Sequence, residues 1–395
     1  MILTPKEVSQ YVEETDVKFV RLAFCDVFGT QKNVAIMPGE LDRAFESGIA
    51  IDASSIAGFG SETRSDLLLR PDPSTLTALP WRPQTGRVVH MFCDIFRPDG
   101  RPFEADTRRV LKKAVMIAKE RGYSFSIGPE MEFYLFELDE GGAPTTKPYD
   151  TAGYMDIAPA DKGENVRREI CLTLEKMGIV PESSHHEGGP GQNEIDFRHT
   201  DPLTAADNAV TFKAAVRTIA ARNGLFASFS PRPLKDAPGS GMHINISAED
   251  VSGNDLLPAV AAGLLDKVNE MTLFLNPCPN SYERLGRDRA PKTIGWSRES
   301  RSHLIRIPAA TGPYRRIELR SPDPSANPYL AFALVVRASL RGIERGLVLP
   351  EARDADATGT SLLPQSLAEA QERASGSAFL SACLPETVLS AYLGL

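Results

Sequence analysis

Four short segments of this chain repeat one pattern, apolar residues on one parity and acidic or polar residues on the other, and few folds can accommodate all four at once. Successive side chains of a strand point to opposite faces. YSFSIGPEMEFYLFEL therefore places Phe125, Ile127, Met131, Phe133 and Leu135 on one side and Glu130 and Glu132 on the other. SSHHEGGPGQNEIDFR reads as a hairpin turned by its glycine-proline run. Ile195 and Phe197 then face a core, Gln192, Glu194 and Asp196 face away, and Glu187 closes the first arm. GMHINIS buries Met242, Ile244 and Ile246 and shows His243, Asn245 and Ser247; RRIELR buries Ile317 and Leu319 and shows Arg316, Glu318 and Arg320.

If these strands share a sheet, its polar face gathers Glu130, Glu132, Glu187, Glu194, Glu318 and His243, carboxylates that repel one another unless cations sit among them. Any one pair alone is more simply the solvated side of a half-buried strand; four strands together favour a metal site. A set of carboxylates and one imidazole, without thiolate, suits Mg²⁺ or Mn²⁺, and six ligands can serve two ions, leaving open positions for phosphate oxygens. His185 and His186, next to the glycine turn, are assigned no metal role, since packing is the commoner use of such histidines.

The remaining sequence bounds the setting. A 395-residue chain with 42% hydrophobic and 24% charged residues suits two or three domains and a large core. Its formal charge of −8 gives no basic footprint for nucleic acid or an acidic membrane. No run reaches the roughly 20 apolar residues of a membrane span, and the N-terminus lacks a secretory layout, so a cytoplasmic location is expected. The five cysteines are scattered without metal-ligand spacing and read as reduced thiols. GGPG and GSG lack the strand-to-helix setting of a nucleotide fingerprint, so a bound nucleotide would be held another way.

The first hundred residues read as β-rich, with KFVRLAFCDV and NVAIM as a hairpin followed by the short helix PGELDRAFESG. Segment 70 to 106, rich in proline, reads as loop-heavy, and the first long helical pattern begins at Asp106 and stops at Gly122. A second spans Asp201 to Gly224, and the stretch after Leu349 reads as a surface loop before a last helical region. The domain boundary is placed near residue 100, giving domains of 1–100 and 101–395.

In this order, GIAIDASSIAGF, GPEMEF, HHEGGPGQNEIDF, GSGMHINIS, NPCPNSYERL, RSHLIRIP and RRIELRSPDPSANPYL resemble the glutamine synthetase family over nearly the whole chain. The resemblance implies an α+β protein: a small N-terminal β-grasp domain, a larger catalytic domain with a curved antiparallel sheet, and a ring of subunits, typically two stacked hexamers. It implies ATP and two or more Mg²⁺ or Mn²⁺ ions per site, one ion on Glu132, Glu187 and Glu194 and the other on Glu130, His243 and Glu318. Asp52 matches the ammonium-binding aspartate that reaches a neighbouring subunit's site, and Arg284, Gly239 and Arg320 match the glutamate pocket. Arg301 and Arg306 match the phosphate and substrate cluster, while Ser247 and Arg316 match nucleotide-side positions. The implied reaction joins ammonia to the side-chain carboxylate of glutamate through a γ-glutamyl phosphate.

Two positions depart from the family pattern. The loop RLGRDRAP is one residue shorter than usual and carries Arg289, with Asp288 beside it, where a glutamate is expected; Pro238 stands where an asparagine contacts glutamate. These leave room for two alternatives, a γ-glutamyl ligase for an organic amine or another acid, and a catalytically weak homologue that keeps metal and ATP binding. No tyrosine lies between Tyr329 and Tyr392, so the adenylylation tyrosine of larger bacterial members has no counterpart.

Overall fold

Thr4 starts the first helix, α1 (Pro5–Glu14), by accepting from the Glu7 amide while the Glu7 carboxylate accepts from the Thr4 amide. This capping box is written in T-P-K-E, and the reading of the opening segment as β-rich overlooked it. The computed structural model describes residues 3–60, 65–352 and 361–394.

The hairpin expected after α1 forms from β1 (Val17–Cys25) and β2 (Gln31–Ile36), followed by the short α2 (Leu41–Glu46), β3 (Ile49–Asp52), β4 (Asp66–Pro71), β5 (Thr77–Ala78) and β6 (Arg87–Phe96). The sheet runs β2-β1-β6-β4-β3, with β5 also on β6. Segment 70–106, expected as loop, thus supplies the central strand: β6 lies parallel to β1 and antiparallel to β4, and Val89, Met91, Cys93 and Ile95 are buried. A central strand covered on both faces shows a continuous apolar run and no alternation to reveal it among flanking prolines.

The chain then enters α3 (Thr107–Glu120), capped by Asp106, and the sixteen-residue β7 (Tyr123–Leu138). Next come β8 (Pro144–Pro148), α4 (Glu164–Lys176), β9 (Pro181–His186), β10 (Gln192–Phe197), α5 (Pro202–Arg222), β11 (Leu225–Ser228) and β12 (Met242–Asp250). After α6 (Leu257–Leu275) and α7 (Ser281–Arg284) follow β13 (Trp296–Ser297), β14 (Ile305–Arg306), β15 (Ile317–Leu319) and α8 (Pro328–Glu344), and the chain closes with α9 (Leu367–Ala374), α10 (Ala378–Cys383) and α11 (Glu386–Leu393). The second sheet runs β13-β14-β15-β12-β7-β10-β9, with β8 and β11 also on β7. All its pairs are antiparallel, as expected of the curved sheet, except the two-residue edge strand β13 with β14.

The predicted apolar parity is the buried one. Met131 pairs with Ile195 on one side and Met242 on the other, and Ile244 pairs with Leu319; all five are fully buried beneath the sheet. Two glycines let α6 and α8 close on each other: a Cβ on Gly263 would stand 2.2 Å from the Ala338 carbonyl oxygen, and one on Gly342 2.1 Å from that of Ala259. Tyr392 of α11 lies against Phe274 and Phe28, with ring centroids 4.5 and 5.2 Å away, tying the end of the described chain to the N-terminal sheet. Of the stretch after Leu349, residues 353–360 lie outside the described residues, and Leu363 is buried.

Candidate active site

The opposite parity of β9, β10, β7, β12 and β15 opens into a cleft of about 620 Å³. Register brings the carboxylates together: Glu194 stands opposite Glu132, and Asp196 and His243 flank Glu130 from the two neighbouring strands. The His243 Nδ1 lies 3.4 Å from Glu130 Oε2 and 3.6 Å from Glu318 Oε1, and its Nε2 lies 4.0 Å from Glu132 Oε1. Three trios in the cleft have donor atoms close enough to share one ion: Glu130, His243 and Glu318; His185, Glu187 and Glu194; and Glu130, Glu194 and Asp196.

The first trio coincides with one predicted set. In the second, His185 appears where Glu132 was expected, its Nε2 3.1 Å from Glu187 Oε1. Glu132 sits one strand over and accepts from the Gln192 side chain at 2.9 Å and the Gly241 amide at 3.0 Å. His185 could have been found from the sequence: it is two residues from Glu187 and so on the same face. His186, on the other face, is fully buried and hydrogen-bonds Asp150 at 2.8 Å.

Charge in this cluster is unevenly compensated. Burial pushes Glu194 well above the usual carboxylate range, and Glu132, Asp196, Glu130 and Glu187 push it further. Glu132 is raised by burial, against the pull of the His243 charge. Burial also works against ionisation of Glu130, but the His243 hydrogen bond and charge, with Asn245, outweigh it and bring the group down to about 2. Carboxylates arranged so that some favour protonation, on a polar face with convergent oxygens and an imidazole, fit a divalent cation as the missing partner.

Arginines line the same cleft. The Arg306 guanidinium donates to Glu318 at 2.9 Å, Arg320 pairs with the same carboxylate, and Arg320 Nε donates to the Arg301 carbonyl at 2.8 Å. Arg284 is buried, donating to the carbonyl of Ser321 at 2.8 Å and that of Arg320 at 3.3 Å. Gly239 and Gly241 permit this approach: a Cβ would come within 2.7 Å of Arg284 Cγ at the first and of Arg284 Nη2 and His243 Nε2 at the second. Arg316 Nε donates to Asn245 Oδ1 at 2.9 Å. Ser247 lies outside the main cleft and lines an adjoining cavity of about 190 Å³ that shares Glu130, Asp196 and Arg316 with it.

Asp52 is exposed at the end of β3, accepts from the Ser54 amide at 2.9 Å and is not among the cleft-lining residues of its own chain. Pro238 is at the wall, where its carbonyl accepts from the Tyr134 hydroxyl at 2.5 Å. Tyr154, also lining the cleft, stands between His185 and Arg289: its ring is 5.5 Å from the imidazole and 5.6 Å from the Arg289 guanidinium carbon. No periodicity marks Tyr154, which sits on a loop.

Residues 16–98 match the family model "Glutamine synthetase, beta-Grasp domain", and residues 104–395 match "Glutamine synthetase, catalytic domain". The chain belongs to the glutamine synthetase family. It is 48% identical over 360 residues to a glutamine synthetase of Clostridium saccharobutylicum, covering 88% of this chain and 81% of that protein. It is 45% identical over 413 residues to one of Methanosarcina mazei, covering 99% and 92%. Among solved structures it resembles "GmaS/ADP complex-Conformation 1", with TM-score 0.89 and 27% identity over 98% of this chain and 94% of that one, and "Apo GmaS without ligand", with TM-score 0.87 and 28% identity. As a glutamine synthetase family member the protein is a carbon-nitrogen ligase, and ATP and divalent metal use are family properties. No helix among the described residues is long and apolar enough to cross a membrane.

Proposed function

We propose that the protein joins ammonia to the side-chain carboxylate of glutamate at the expense of ATP, giving glutamine, ADP and phosphate, in a cytoplasmic ring oligomer. The observation that carries this reading is one cleft lined by Glu130, Glu132, Glu187, Glu194 and His243 together with Arg284, Arg301, Arg306 and Arg320. Phosphoryl transfer needs positioned positive charge around the moving oxygens rather than a protein nucleophile. Two Mg²⁺ or Mn²⁺ ions held by the carboxylates and His243 would supply part of it by polarising phosphate oxygens.

This chain's own residues do the rest. Arg284 and Arg320, beside the open backbone of Gly239, hold the glutamate substrate, while Arg301 and Arg306 face the transferred phosphoryl group. Arg316 and Ser247 line the side on which the nucleotide enters. The glutamate carboxylate oxygen bonds to the γ-phosphorus as the bond to ADP breaks; ammonia nitrogen then bonds to the acyl carbon and phosphate leaves. Ammonium must first lose a proton, and Asp52, ionised and exposed outside its own cleft, serves this step at the cleft of an adjacent subunit. The relatives' names and the resemblance to a protein solved with ADP support this assignment.

A second reading has a specific observation behind it. Arg289 lies over Tyr154 at the cleft, where its charge repels ammonium, and the solved structures resembled are both of GmaS. On this reading glutamate is joined to an organic amine. Phosphate release with ATP and Mg²⁺ or Mn²⁺, with glutamate present or omitted and with ammonium, small organic amines or neither, followed by product mass, tests both. Release requiring both substrates, with glutamine formed, supports the first; release requiring glutamate and an amine other than ammonium supports the second. No release under any combination overturns both and leaves a non-catalytic homologue.

A further inference from the structure

Away from the cleft, a cavity of about 180 Å³ lies between the N-terminal sheet and α5, and its lining contains Arg21, Arg82 and His90 but no aspartate or glutamate. Arg21 on β1 and His90 on β6 are direct partners in the parallel pair, so their side chains leave the sheet on the same face. Asn33 of β2, opposite Ala23, and Gln31 add amides to that face. Thr211, Ala214 and Thr218 of α5 form the opposite wall, and Trp81, packed with Leu79, Val88 and Met177, closes one side.

The charges here have no counterpart. Neither Arg21 nor Arg82 makes an ion pair among the described residues, and the charge of Arg82 acts on Arg21 in the same destabilising sense as burial does. His90 is 5% exposed, touches Phe92 edge-on at a centroid distance of 5.3 Å and makes no hydrogen bond among the described residues. His90 is a buried polar ring without a hydrogen bond among the described residues, while Arg21 is half-buried and Arg82 exposed, so the hollow opens to solvent past two like-charged guanidiniums, and one negatively charged ligand meets all three. Guanidiniums grip carboxylate and phosphate alike through paired N–H groups. The volume admits only a few heavy atoms beyond that group.

We propose that this cavity is a binding site for a small oxyanion, carboxylate or phosphate, held by Arg21 and Arg82 with His90 and the amides of Gln31 and Asn33. It is separate from the catalytic cleft and bridges the N-terminal sheet to α5, a helix of the catalytic domain, so its occupancy stiffens the seam between them.

Trp81 gives a direct readout, and the chain's other tryptophan is removed by Trp296→Phe. In that background, fluorescence is titrated with succinate and, separately, inorganic phosphate, at constant ionic strength against chloride. Saturation by either anion, weakened at least tenfold by Arg21→Gln and by Arg82→Gln, is the expected result; which anion saturates identifies the source. A thermal midpoint raised by the same anion in the native chain, and not in the two variants, gives a second reading that does not depend on Trp81. A response to both anions indistinguishable from chloride, or saturation unchanged in both folded arginine variants, overturns the proposal.

Discussion

Glu132 and Glu194 stand directly opposite each other across the antiparallel pair of β7 and β10, two carboxylates projecting onto one polar face within a strand spacing. Both are buried and both are pushed up in pKa, Glu194 strongly. Replacing Glu132 by Gln leaves the Gln192 and Gly241 neighbours in place but removes a charge that a cation would neutralise. Metal-dependent turnover is expected to fall by at least about 100-fold, in line with the loss of groups that hold or orient a metal, with an unchanged circular dichroism spectrum. Activity within a few-fold of the native protein would exclude Glu132 from the site.

Glu194→Gln tests the same cluster without any substrate. Removing an unpaired buried charge relieves repulsion, and the metal-free variant is expected to be more stable than the metal-free native protein by about 1 kcal/mol or more. Its melting temperature should then rise less when Mn²⁺ is added. A less stable metal-free variant would argue that Glu194 already has its compensating partner within the chain.

Asp52 leads to a prediction about assembly. If it completes a neighbour's cleft, Asp52→Asn and Glu132→Gln are each inactive alone, yet oligomers containing both kinds of subunit regain activity. The assay is turnover after co-expression, with each variant expressed singly as the control. Failure of properly mixed oligomers to recover turnover would place Asp52 outside the reaction.

Asp72 connects the domains through Arg108 and Lys112, at 3.0 and 3.3 Å. Burial opposes its ionisation, but the Arg108 charge, the Ser74 hydrogen bond and Lys112 outweigh it and hold the carboxyl at about 2, below its ordinary 3.8. A depressed native pKa stabilises the fold above the unfolded value, and the benefit disappears as pH falls through the native one. Asp72 therefore contributes about 2 kcal/mol near neutrality. Its stability advantage over Asp72→Asn should shrink between about pH 4 and pH 2, as read by acid unfolding of both proteins.

Packing supplies an independent check of the fold. Gly263→Ala would drive a methyl group into the Ala338 carbonyl oxygen, 2.2 Å away, and must separate α6 from α8. A loss of about 1–3 kcal/mol or more is expected, measured by denaturant midpoint. An Ala variant as stable as the native protein would mean that these helices do not approach this closely.

Arg289→Glu addresses the choice of amine. Reversing the charge over Tyr154 should raise kcat/KM for ammonium relative to larger amines if Arg289 repels the ammonium cation. An unchanged preference would remove this residue from specificity.

Much of the site was visible in the sequence because strand alternation has a period of two and requires no knowledge of partners. Met131, Met242 and Leu319 fixed the buried parity, and Glu130, His243 and Glu318 necessarily fell on the other. Caps were equally local: Asp106 and Asp201 began α3 and α5, while the equally local box at Thr4 and Glu7 passed unnoticed. What sequence pattern could not provide was whatever depends on which strands become neighbours. β6 was hidden because a strand covered on both faces has no alternation. His185 shares a face with Glu187 by alternation alone, but its pairing opposite Glu194 was set by register, and Tyr154 reached the cleft only by the path of its loop. The cationic cavity at Arg21, Arg82 and His90 belongs to this second class. Its residues are up to 69 positions apart in the chain, and only packing of the N-terminal sheet on α5 encloses them together without a carboxylate.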